Sequence, residues 1–267
     1  MINIVCALPC EAKPLINRFK LRCISDSVFP LYQNEEIFLI VSGIGKVAVS
    51  NAIAFLFVKT GENKNRAWLN YGIAGHKSLA IGENVIINKV TDSVTNRHYY
   101  PVVMENVKLQ KKGIVTVDQP ADNYAGDSLY DMEASAFMES ISRYASIEFV
   151  KLFKVVSDNE CQSISSINKS FVSSLIESSL AEIVCLMERM SNLQADYARI
   201  YVQPKIYDQC IAEWHFSQYQ KKQLMKLLIR WEAVVGVMEF SRLSKFNKSS
   251  EVIDFIDQGL RSYEFSL

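Results

Sequence analysis

The sequence predicts a three-layer α/β domain, with a mostly parallel twisted sheet flanked by helices, followed by an all-helical extension. Three observations carry that expectation. Short continuous apolar runs alternate with helix-patterned segments through the first 160 residues. The runs are predominantly apolar, not polar at every second position, as in strands buried on both faces of a sheet. Beyond about residue 194 glycine becomes scarce and the apolar spacing turns wholly helical.

Taken in order, residues 2–8, 37–41, 85–90, 114–117 and 149–156 are the expected strands. Between them, residues 14–19 read as a helix with Pro14 near its start, where a missing N–H does no harm. Residues 47–58 and 129–144 also carry helical spacing. Strand alternating with helix argues for parallel pairing. Residues 96–112 are polar and contain Pro101, and they read as a hairpin or loop. Over 167–190, Phe171, Leu175, Leu180, Ile183, Met187 and Met190 mark the stripe of one long amphipathic helix. In the extension, Leu224, Leu227, Leu228, Trp231 and Val235 form a stripe over 218–236, and Val252, Ile253, Phe255 and Ile256 another over 249–260. The stripe at Leu224–Trp231 needs an apolar partner, expected on the α/β domain or a second subunit. The organisation expected is one domain over 1–194 and a helical extension over 195–267.

Composition narrows the function. Of 267 residues, 49% are hydrophobic and 22% charged, an ordinary globular balance that excludes a disordered chain. Lys plus Arg and Asp plus Glu both number 29, so the formal net charge is zero. Neither nucleic acid nor an anionic membrane is therefore an expected partner. No run reaches the roughly eighteen apolar residues of a membrane-spanning helix. The first apolar stretch has no basic leader and meets Glu11 and Lys13, so it reads as a strand and not a signal peptide. Six cysteines without a CxxC pair suggest reduced, mostly buried thiols and a cytoplasmic location. The three histidines are scattered, so no metal site is expected. No cofactor is expected either. Gly43-Ile44-Gly45-Lys46-Val47 lacks the third glycine of a dinucleotide fingerprint and the Lys-Ser/Thr ending of a P-loop.

Four places hold candidate chemistry. Glu11 follows the first strand in Ala7-Leu8-Pro9-Cys10-Glu11-Ala12. Ser42-Gly43-Ile44-Gly45-Lys46-Val47-Ala48 joins a strand to a helix, and Asn70-Tyr71-Gly72-Ile73-Ala74-Gly75 reads as a strand end followed by small residues. The last is a pair, Asp131-Met132-Glu133-Ala134 and Lys154-Val155-Val156-Ser157-Asp158. Ligands of open α/β sheets bind beyond the carboxyl ends of the strands, so these segments can converge. Taken singly, the glycine pair reads as a tight turn and Asp158 as a helix N-cap. Glu133, expected inside an apolar helix, needs a partner if buried.

In this order and spacing the segments resemble the purine nucleoside phosphorylase and nucleosidase superfamily. They look most like its methylthioadenosine/S-adenosylhomocysteine nucleosidase branch. The resemblance covers about residues 1–194, with the last family helix ending near Met190. It implies hydrolysis of the N-glycosidic bond of a purine-type nucleoside, with Asp158 protonating the base at N7. Glu133 would accept a hydrogen bond from a ribose hydroxyl, and Glu11 would act as general base on water. Met132, Ala74, Gly75, Gly43, Ser157 and Lys154 would shape the substrate site, and the chain would form a homodimer or larger homo-oligomer. Asn70 stands where the phosphorylase branch places an arginine, and Glu11 would repel phosphate, which favours water as nucleophile. Phosphorolysis on the same fold and a non-catalytic nucleoside-binding or interaction module remain as alternatives. The segment between Gly82 and Asp131 is shorter than in typical nucleosidases. Ile73, His76 and Lys154 replace that branch's serine, glycine and arginine, so the nucleoside itself is left open.

Overall fold

The strands at the centre of the sheet are those whose residues are almost all buried. In chain order the structure, a computed structural model, runs β1 (Ile2–Cys6), α1 (Pro9–Phe19), β2 (Arg22–Ser25), β3 (Leu31–Gln33), β4 (Ile37–Val41), α2 (Lys46–Lys59) and β5 (Ala67–His76). It continues with β6 (Asn84–Asp92), β7 (His98–Tyr99), β8 (Gln110–Thr116), β9 (Leu129–Asp131), α3 (Ala134–Ile141) and β10 (Val150–Asp158). Helices α4 (Lys169–Ser178), α5 (Leu180–Ile200), α6 (Ile206–Glu213), α7 (Gln218–Val234) and α8 (Ser249–Glu264) follow. The structure describes residues 1–25, 28–103, 109–121, 124–162, 167–200 and 202–264. Part of the expected loop at 96–112, residues 104–108, lies outside them.

The sheet is mixed, not mostly parallel. Strand β1 lies between β4 and β5 in parallel register. Strands β2, β3 and β4 form an antiparallel edge. Strand β5 pairs with β10 in parallel and with β9 antiparallel. Strand β10 pairs antiparallel with β6, while β6–β8 and β8–β9 are parallel, so β5, β10, β6, β8 and β9 close into a barrel. The expectation of parallel pairing assumed a helix in every crossover. Between β2 and β3, and between β6 and β7, there is none, and a short return brings the chain back antiparallel.

Two helix pairs cover the sheet. Helices α1 and α4 pack together over β1, β5 and β10, and α2 packs on α3, with α2 against β1 and β4 and α3 against β6 and β8. Pro9 opens α1, ahead of the start expected at Pro14. Pro14, inside the helix, cannot donate to the carbonyl of Cys10. Ser173 Oγ of α4 donates to that carbonyl at 2.9 Å and ties the two helices. The single helix expected over 167–190 is two, bent by 57°. At the break, buried Ser179 donates from Oγ to Ile176 O at 2.9 Å, and the Tyr71 hydroxyl of β5 reaches both that serine and the same carbonyl. Side chains competing for a helical carbonyl interrupt the ladder. The second helix continues to Ile200, past Met190. The helix expected over 129–144 is shorter, because Leu129–Asp131 is strand β9.

The chain divides into two compact units, Met1–Gln194 and Ala195–Leu267. The second has its own core. Leu224, Leu227, Leu228 and Trp231 of α7 pack with Val252, Ile253, Ile256 and Leu260 of α8. The stripe thus finds its partner inside its own unit. Gly259 makes this possible, since a Cβ there would stand 2.5 Å from the Trp231 ring. Ser217 and Gln220 form a capping box that starts α7. All six cysteines are free, yet only Cys6 and Cys210 are buried, while Cys23, Cys161 and Cys185 are exposed. The thiols are therefore not mostly buried, as expected from sequence. Among the described residues no single helix is long and apolar enough to cross a membrane.

Candidate active site

Two glycines of β5 make room for two carboxylates. A Cβ on Gly72 would lie 2.6 Å from Oε1 of Glu11, and a Cβ on Gly75 would lie 2.6 Å from Oδ2 of Asp158. The segment 70–75 is therefore not a strand end with a loose turn. It is the interior of a ten-residue strand whose small residues admit acidic side chains from α1 and β10. Glu11 lies in the first turn of α1, directly after β1. Its Oε1 accepts from Ile73 N at 2.9 Å and its Oε2 from Leu8 N at 2.8 Å. Asp158 is the last residue of β10, opposite Gly75 across an irregularity in the ladder. It caps no helix. Its Oδ1 accepts from Ser157 Oγ and its Oδ2 from the hydroxyl of Tyr124.

Glu133 is the N-cap of α3, not a residue within it. Its Oε1 accepts from the backbone N–H of Gly45 at 2.7 Å. Gly45 holds φ = 96°, so the turn between β4 and α2 uses glycine to aim that N–H at the carboxylate. Asp131, two residues earlier, is spent on structure. Its Oδ1 accepts from Thr116 Oγ1 at 2.9 Å, and its Oδ2 accepts from Ala134 N at 3.0 Å and pairs with Lys154 Nζ at 2.9 Å. This fixes the start of α3 against β8 and β10.

Glu11, Glu133 and Asp158 line one cavity of about 170 Å³. Its other walls are mainly apolar, with Ile44, Ile73, Val117 and Met132 among them. No arginine or lysine is among the described residues lining it. A wider groove of about 750 Å³ beside α1 and α4 is lined by Lys13, Arg18 and Lys169, but it gathers no buried carboxylates. Burial raises the pKa of Glu11, against the Ile73 N–H, the Lys154 charge and the Leu8 N–H. Burial, and then the Asp131 charge, raise Glu133 to about 7, against Lys154 and the Gly45 N–H. Burial alone would lower Lys154, but Asp131, Glu133 and Glu11 outweigh it and raise its pKa. The site thus sets three acids around one buried cation, and two of them hold protons more tightly than an exposed glutamate.

Met132, Ala74, Gly75 and Ser157 also line the cavity. Gly43 and Lys154 do not. Gly43, at φ = 82°, donates its N–H to Ala7 O at 3.0 Å and shapes the turn that presents Gly45. Lys154 is buried behind the wall on Asp131. Sequence reasoning missed Tyr124 and Tyr130. They sit in a short polar stretch without periodicity, and only the two tyrosines beside Gly126 hint at an aromatic wall.

No protein-family model matches this chain and no curated protein is similar to it in sequence. Solved structures share its fold. A Helicobacter pylori MTAN mutant with 5′-methylthioadenosine in its active site aligns at 14% identity and TM-score 0.58, over 70% of this chain and 98% of its own. The 5′-methylthioadenosine nucleosidase of Arabidopsis thaliana aligns at 16% and 0.58, over 71% and 95%. The futalosine hydrolase of Helicobacter pylori aligns at 15% and 0.58, over 70% and 97%. The fold is therefore that of these nucleosidases, with a sheet that closes on itself and helices around it.

Proposed function

We propose that the unit over 1–194 hydrolyses the N-glycosidic bond of a purine-type nucleoside and releases the free base. One observation carries this reading: Glu11, Glu133 and Asp158, brought from three separate elements, face one small, largely apolar cavity. Asp158, oriented by Ser157, gives a proton to N7 of the base. The glycosidic electron pair then leaves with the base, and the sugar develops oxocarbenium character. Glu133 accepts a hydrogen bond from a ribose hydroxyl and opposes the developing positive charge. Glu11, held by two backbone N–H groups, takes a proton from the water that adds to the anomeric carbon. Each proton-transfer step of this kind is worth roughly 10²–10⁴-fold. Met132 packs on the sugar, and Ala74 and Gly75 leave space for the base. Gly43 acts through the turn that carries Gly45, and Lys154 through Asp131 and through its charge beside Glu11 and Glu133. No step of this scheme calls on a metal or cofactor.

Water as the nucleophile is supported by the charge of the wall. A phosphate dianion needs cationic or N–H-rich walls, and here four acids, Glu11, Asp131, Glu133 and Asp158, line the cavity instead. The solved nucleosidases of the same fold, one holding 5′-methylthioadenosine, support the substrate class. Free thiols fit a cytoplasmic location. Ile44, 55% exposed on the cavity wall, and Val47, 76% exposed in the first turn of α2, favour association with a second copy of the chain. Release of free base from a panel of purine nucleosides, with and without phosphate, tests the proposal. Release independent of phosphate supports it. Strict dependence on phosphate makes the protein a phosphorylase, and binding without release makes it a nucleoside-binding module.

A further inference from the structure

The hydroxyl of Tyr124 stands where the proposed reaction needs the base. It donates to Oδ2 of Asp158, the oxygen that lies over Gly75. A Cβ on Gly75 would meet Oδ2 at 2.6 Å and the Tyr124 ring carbon Cζ at 2.7 Å, so the glycine admits the tyrosine as well as the acid. The other oxygen, Oδ1, is taken by Ser157. Tyr124 is buried and its ring lies against Tyr130, with centroids 5.3 Å apart. The Tyr130 hydroxyl donates to Ala125 O at 2.8 Å and accepts from Ala125 N at 3.1 Å, which anchors that ring to the backbone beside Tyr124. With the phenol in place the cavity measures about 170 Å³, well under the roughly 300 Å³ at which small-molecule sites usually begin.

We propose that Tyr124 is a specificity-determining residue of this site. Its phenol stands in for the hydrogen-bonding edge of the base on Asp158, and a base enters only by taking its place. The inference rests on the reading of Asp158 as the residue that meets the base. It makes the tyrosine a competitor, so every ligand must break the Tyr124–Asp158 hydrogen bond to bind, and ligands that cannot replace that bond are excluded.

Tyr124→Phe removes the hydroxyl and keeps the ring on Tyr130. Free adenine is titrated calorimetrically into the full-length wild type and the variant. The variant should bind adenine several-fold to about tenfold tighter, the size of one hydrogen bond. For any nucleoside that is turned over, KM should fall in similar proportion. Unchanged or weaker adenine affinity in the variant overturns the proposal, and so does absence of binding to both proteins. Should the variant not fold, tyrosine-labelled wild type gives the second test: adenine must shift the Tyr124 ring resonances, and resonances unmoved by adenine overturn it. The nucleosidase reading fails separately, if Tyr124→Phe gains adenine affinity while neither protein releases base from any nucleoside.

Discussion

Asp158, Glu133 and Glu11 differ in what holds them. Asp158 is set by two hydroxyls, Glu11 by two backbone N–H groups, and Glu133 by one N–H of a glycine turn. Asp158→Asn should lower turnover by on the order of 10²-fold or more, the size of a general-acid contribution, and disturb nucleoside binding less. Steady-state kinetics beside a binding titration check this, and near-normal turnover would leave Asp158 a structural residue. Folding raises the pKa of Glu133 from 4.5 to about 7. Between those values the folded state keeps a proton that the unfolded chain has lost, so this group's contribution to stability falls as pH rises through that window. Glu133→Gln should therefore gain melting temperature relative to wild type on going from about pH 4.5 to about pH 8. Melts at both pH values decide it, and a difference that does not change with pH contradicts the shift. All three acids were legible as candidates in the sequence, because each stands beside small or apolar residues where a charge needs a reason. Their partners were not. Nothing in the sequence places Tyr124 on Asp158 or Gly45 on Glu133, since both contacts join residues far apart in the chain.

At the scale of elements, β5 organises the site. Its residues 70–75 looked like a strand end because small residues interrupt the apolar run, yet the strand continues to His76. The glycines are there to admit carboxylates from neighbouring elements, a tertiary demand that a local pattern does not reveal. Gly72→Ala should push Glu11 off the Ile73 N–H, because the new methyl would lie 2.6 Å from Oε1. Displacement of a catalytic group by about 1 Å can cost on the order of 10²-fold. Turnover should fall by about that factor while far-UV circular dichroism stays that of the wild type, and full activity in Gly72→Ala would remove Glu11 from the reaction. The buried strands β1, β4 and β10 were readable as predominantly apolar runs. Strands β2 and β3 were not, because β2 is an exposed edge strand and β3 is only three residues long, so neither carries such a run. The break between α4 and α5 was invisible for a different reason: Ser179 is an ordinary residue in a helix, and its hydrogen bond with the distant Tyr71 hydroxyl cannot be read from local spacing.

At the scale of the whole molecule, the chain combines a mixed, closed sheet with a helical unit that has a separate core. The change in apolar spacing near residue 194 and the boundary of the two compact units, between Gln194 and Ala195, concern the same stretch of chain. That boundary falls inside α5, which the sequence presented as ending earlier. Since Leu224, Leu227, Leu228 and Trp231 are covered by α8, the unit over 195–267 should fold when expressed alone, with helical circular dichroism and a cooperative melt. A gradual melt would mean that its core needs the rest of the chain. The central claim is that water, and not phosphate, attacks a purine-type nucleoside at the cavity of Glu11, Glu133 and Asp158. The most direct measurement is mass spectrometry of the sugar product after reaction of the full chain with adenine nucleosides in ¹⁸O-labelled water containing phosphate. The account predicts free base together with free ribose-type sugar carrying one labelled oxygen at the anomeric carbon, and loss of both products in Asp158→Asn. Sugar 1-phosphate without label, or no base released by the wild type, would contradict it.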